Sequence, residues 1–181
     1  MSRPGLPTTP HATIPAVTVE VLLLRLDGAG RLAYRELRAG WWPPGTPDAL
    51  ALRLAGIDGP VPDATVSHST SWRCDRNGRI VLTYAVLPDP DPLQPAVVLP
   101  PVGVLCSGDP LLPSPPGLHA HHVAAHAVRH LGQLAEHDPA VRAAAALRRS
   151  ELWRVVIEVA ATMAVGSHEE AHSTPSRSPA R

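Results

Sequence analysis

Two hydrophobic periods meet near Pro110–Gly117, and their order constrains the fold more than any other feature of the chain. Ahead of that junction, apolar residues alternate or run together as they do in strands; beyond it they recur at helical spacing. A chain of this order makes its sheet first and covers it with helices afterwards. The expected class is therefore α+β, with a mostly antiparallel sheet over residues 16–106 and two or three packed helices over 118–164.

Ala16–Leu26 (AVTVEVLLLRL) reads as a mostly buried strand, Asp27–Gly30 as a turn and Arg31–Arg38 as its partner. Gly40–Pro47 (GWWPPGTP) is expected as a rigid loop, because Pro43, Pro44 and Pro47 lack a backbone donor and hold φ. Asp48–Ala55 has room for two helical turns. Ala96–Leu99 and Val102–Cys106 are short strand candidates. Helices are expected from about Leu118 to His137, then from Asp138 as cap with Pro139 in the first turn, and over Glu151–Ala164 capped by Ser150.

Ala64–Cys74 and Arg79–Leu87 form a hairpin whose register can be argued. A two-residue Asn77-Gly78 loop sets Trp72 opposite Thr83. A three-residue loop, Arg76-Asn77-Gly78, sets Trp72 opposite Leu82, Thr70 opposite Tyr84 and Cys74 opposite Ile80. One residue of slip turns every side chain over, so the pairing that unites apolar faces is expected. The longer loop also wants a left-handed glycine, and Gly78 stands there.

Composition bounds the rest. At 44% apolar residues the chain can bury a core. Residues 1–14 and 166–181 are Pro/Thr-rich and Ser/Pro/Arg/His-rich, and are expected as disordered tails around a single domain, 15–165. All 16 basic residues are Arg, a bias that the codons of a GC-rich genome produce. They balance 16 acidic residues to a formal charge of zero, without the clustered basic excess of a nucleic-acid binder. No membrane span is expected, since the run Val21–Leu24 falls far short of roughly 20 apolar residues. Cys74 and Cys106 have no CxxC spacing, and Met1–Pro15 holds no secretory apolar segment; reduced thiols and a cytoplasmic address follow.

Four groups of residues offer chemistry. His119, His121, His122, His126, His130 and His137 crowd one helix, whose imidazole face centres roughly 120° from its apolar face. The i, i+4 pairs among His122, His126 and His130 have the spacing to chelate Zn, given a third ligand such as His68, Asp109 or Glu136. The plainer reading is a solvated polar face. His168–His172 spells H-E-x-x-H, the zinc-protease pattern, but no apolar flank would enclose it and no third ligand follows. Ser67–Asp75 (SHSTSWRCD) and Cys106 supply nucleophile-type residues without an elbow or a defined base, and read as strand and buried thiol. Trp41 and Trp42 in the proline loop could stack on a ligand or wedge the loop onto the sheet.

The hairpin over residues 16–38, the Trp-Pro-Gly segment WWPPG at 41–45 and the second hairpin at 64–87 together resemble the frame of a Nudix domain over about residues 16–90. In that family the glutamates of G-x5-E-x7-R-E-x-x-E-E-x-G hold Mg for diphosphate hydrolysis. After Gly45 this chain reads TPDALALRLAGIDGPVPDA, with no glutamate and no R-E pair, so none of the family's site residues carries over. The resemblance implies a non-catalytic module that binds a small ligand or a protein partner. The ligand residues expected are Trp41, Trp42, Trp72 and Arg73, around a pocket between the sheet and the tryptophan loop. The alternative is a metal-dependent hydrolase on the histidine helix 119–137, with His122, His126 and His130 as ligands of a possible Zn.

Overall fold

The structure, a computed structural model, describes residues 16–105, 114–115, 117–148 and 151–170. Along the chain run β1 (Val17–Leu26), β2 (Leu32–Trp41), α1 (Pro47–Leu54), β3 (Val66–Cys74), β4 (Ile80–Leu87), β5 (Val97–Val98), α2 (Ala120–His137), α3 (Pro139–Arg148) and α4 (Glu151–Glu170). The class is α+β. The five strands form one sheet in the order β3-β4-β1-β2-β5. β1 is its centre, antiparallel to β2 and parallel to β4.

Strand alternation divides β1 between two cores. Leu22 and Leu24 join Tyr34, Ala85 and Leu87 under α2, α3 and α4. Val19, Val21 and Leu23 join Tyr84 and Val86 on the opposite face, where Ala51 and Ala55 at α1 close the smaller core. A central strand covered on both sides explains why VEVLLL is nearly continuous rather than strictly alternating. Thr46 caps α1 through its hydroxyl, and Asp138 caps α3 by accepting from the Ala140 and Val141 amides.

The hairpin follows the three-residue loop. Trp72 pairs with Leu82 and Cys74 with Ile80, and Gly78 holds φ +74° at the turn. Farther up the ladder, Ser69 rather than Thr70 faces Tyr84, because a bulge inserts one residue between Ser69 and Ser71. Thr70 is buried there, its hydroxyl donating to the Thr83 carbonyl.

Other expected boundaries shift. β2 continues past Arg38 to Trp41, paired throughout with β1, and α4 continues past Ala164 to Glu170. Residues 102–105 form no strand. Cys106, the Ser150 cap, the N-terminal tail and residues 171–181 lie outside the described residues. Among the described residues, no helix is long and apolar enough to cross a membrane.

Candidate functional site

Glu20 interrupts the apolar run of β1, and its parity places it on the face of Leu22 and Leu24, beneath the C-terminal helices. It is fully buried. A carboxylate there needs partners, and the register supplies them: Glu20 stands between Thr83 of β4 and Arg38 of β2. The Thr83 hydroxyl donates to Oε2 at 2.8 Å, and Arg38 Nη2 lies 2.5 Å from Oε1. Arg73, one row away on β3, reaches in with Nη1 to Oε2 at 2.7 Å and Nη2 to Oε1 at 2.5 Å. Burial pushes the Glu20 carboxyl up, but the Arg73 bonds and the Arg73 and Arg38 charges outweigh it and hold the group below the ordinary glutamate range.

Arg38 also pairs through Nε with Glu36. Burial, and then the Glu20 charge, push the Glu36 carboxyl above its usual value. At the hairpin tip, Asp75 is fully engaged by its own turn. Its Oδ1 accepts the Asn77 and Arg79 amides, and its Oδ2 takes the Arg79 guanidinium. Arg76 is left without a carboxylate partner among the described residues, exposed at the tip.

These strand ends meet the start of α2 in a cleft of about 640 Å³. Arg38, Arg73 and Arg76 line it, and Val81, Leu118 and Val123 supply apolar surface. Ala120, in the first turn of α2, lines it as well, so the positive end of an 18-residue helix faces this cleft. That first turn contains no acidic residue.

Of the ligand residues expected from the sequence, Arg73 alone lies here. The tryptophans lie away from the cleft. Trp41 packs on the α1 face, its Nε1 donating to the Gly45 carbonyl at 2.8 Å, which fastens the proline loop to the sheet. Trp72 shares a face with Leu82 and is 59% exposed, and Trp42 is 48% exposed.

His119 lines the cleft, and the histidines expected as metal ligands make other contacts. His122 Nδ1 accepts the His119 amide at 3.1 Å and caps its own helix. The His126 ring is hydrogen-bonded to the Thr70 backbone at the bulge. His130 stacks on His68, ring centroids 5.4 Å apart. Among the described residues, no three His, Cys, Asp or Glu side chains are grouped to hold a metal ion. Asp109 and His172 lie outside those residues.

Sequence reasoning missed Glu20, Glu36, Arg38 and Arg76. The available signal was Glu20 itself: one charge inside an apolar strand, on the parity of two buried leucines, demands a buried cation. No family model, curated protein or solved structure matches this chain.

Proposed function

We propose that this protein is a non-catalytic small-ligand-binding module, and that its ligand occupies the cleft at the start of α2. The observation that carries the reading is the cleft itself. At about 640 Å³ it falls within the roughly 300–1,000 Å³ of small-molecule sites, and its lining joins guanidinium groups to apolar side chains. Two of the three carboxylates beside it support binding rather than catalysis. Glu20 and Asp75 are engaged on both oxygens by cations and donors, which leaves neither poised to move a proton. The Nudix-like frame and a cytoplasmic address belong to the same reading; the frame rests on the quoted residues of 16–87, and the address on the cysteine pattern.

The test is amide spectroscopy of the isotope-labelled full chain against a library of small metabolites, neutral and charged. Binding should shift the signals of Arg76, Val81, Leu118 and Ala120 together. Shifts at Trp42 and Trp72 instead would move the site to the α1 face, and a library that shifts nothing would overturn the reading.

A further inference from the structure

Among the described residues, charge around the cleft does not balance. Four guanidinium groups, Arg38, Arg73, Arg76 and Arg79, stand there against three carboxylates, Glu20, Glu36 and Asp75. Arg73 is 12% exposed at its side chain, and both of its Nη groups bind Glu20. Arg38 is 47% exposed and uses Nη2 and Nε on two carboxylates, so N–H groups of its five remain for a ligand. Arg79 is closed onto Asp75. Among the described residues, Arg76 is the cation of this group without a carboxylate partner, and it lines the cleft. In the first turn of α2 the His122 and Val123 amides reach the His119 carbonyl, whereas those of Ala120 and His121 have no intrahelical acceptor, and the helix end adds its positive potential to the same space. Val81, Leu118 and Val123 also line the cleft and offer no hydrogen bond at their side chains.

Resting on the ligand-binding reading above, we propose that the ligand carries an oxyanion, carboxylate or phosphate, joined to a compact apolar body. Arg76 and Arg38 hold the oxyanion at the first turn of α2, and the body lies against Val81, Leu118 and Val123. Both oxyanions accept paired N–H bonds from a guanidinium, which is the chemistry they share. The buried Glu20–Arg73 pair is a positioning device: it anchors Arg38 from behind and keeps Arg73 from collapsing into the cleft.

Isothermal titration of the full chain with four probes separates the parts: phenyl phosphate, phenylacetate, inorganic phosphate and benzyl alcohol. At least one of the first two should bind more tightly than inorganic phosphate, which lacks the body, and than benzyl alcohol, which lacks the charge. Preference between phenyl phosphate and phenylacetate tells which oxyanion the site was built for. Arg76→Ala, an exposed change outside the fold's core, should weaken the better probe roughly tenfold or more, and Arg76→Lys less. Affinity should also fall as NaCl rises from about 0.1 M to about 1 M, which shortens the screening length from about 10 to about 3 Å. Binding of the charged probes that Arg76→Ala leaves unchanged overturns the inference. Benzyl alcohol binding as well as phenyl phosphate, with cleft amides shifting, also overturns it while the ligand-binding reading stands. If neither these probes nor the metabolite library shift the cleft amides, both fall.

Discussion

Arg73 meets Glu20 end-on, its two Nη groups on the two carboxylate oxygens at 2.7 and 2.5 Å. The contact joins the edge strand β3 to the central strand β1 across β4, on the face that the C-terminal helices cover. The side chains are 12% and 1% exposed, and each is the other's two-point partner, with Arg38 and Thr83 adding further bonds to Glu20. Removing one partner of such a pair costs about 3–5 kcal/mol, because the survivor is left charged and dry. Glu20→Leu is therefore expected to lower the urea unfolding free energy by about that amount, whereas Glu20→Leu with Arg73→Leu should lose distinctly less. A double variant as unstable as the sum of its singles would show that the pair is not coupled.

Gly132 of α2 sits where a Cβ would come within 2.4 Å of the Ala160 methyl of α4. In an exposed helix, Gly→Ala stabilises by about 1 kcal/mol, but here the added methyl must push two helices apart, and overpacking typically costs about 1–3 kcal/mol. Gly132→Ala should lower the melting temperature. Adding Ala160→Gly should recover part of the loss, since it removes the obstructing methyl. Thermal unfolding of the two singles and the double measures this coupling directly, and additive losses would argue against the contact.

Glycines of the two hairpin turns should behave differently. Gly78 holds φ +74°, and nothing lies within 4 Å of a Cβ placed on it, so any penalty there comes from the backbone alone. Gly78→Ala is expected to cost roughly 1–2 kcal/mol. Gly28, in the turn between β1 and β2, has neither a positive φ nor a close neighbour. Gly28→Ala should stay within about 0.5 kcal/mol of the parent. Equal losses in urea denaturation would contradict this assignment of the turn.

What the residues disclosed before any coordinates follows the range of the interactions involved. Both hairpins were legible because period-two alternation and a glycine turn set the register locally, down to Trp72 against Leu82. The parallel pairing of β1 with β4 was not, since it joins Val17 to Ile80 across a helix and two other strands, and no local pattern encodes that choice. The bulge at Thr70 escaped as well, because alternation is blind to one extra residue. At the site, the tryptophans and histidines are the residue types whose chemistry a sequence displays. The arginines that line the cleft read as surface charges until Glu20 was placed at the centre of the sheet. The apolar character of β1 masked the one residue that organises the site.

Acid should open the seam between α2 and β3. His126 is bonded to the Thr70 backbone, and His130 stacks on His68; the Arg129 charge of α2 acts on His126 as well. Burial lowers the His126 pKa against the opposing pull of its Thr70 bond, and the Arg129 charge lowers it further. Burial, then His68 and His126, lower that of His130. The folded state thus takes up these protons less readily than the unfolded chain, whose histidines titrate near pH ~6.5. Where the unfolded state binds more protons, stability rises with pH. The seam's contribution is therefore fully present above about pH 6.5 and is lost as pH falls from there toward the lowered folded values. Urea midpoints should drop between about pH 7.5 and about pH 5.5, and the drop should flatten in His126→Asn with His130→Asn, which removes both titrating rings. Parallel profiles for the variant and the parent would place the acid sensitivity elsewhere. A variant less stable at every pH, but with a flatter slope, is the expected outcome, because the asparagines forfeit packing while no longer competing for protons.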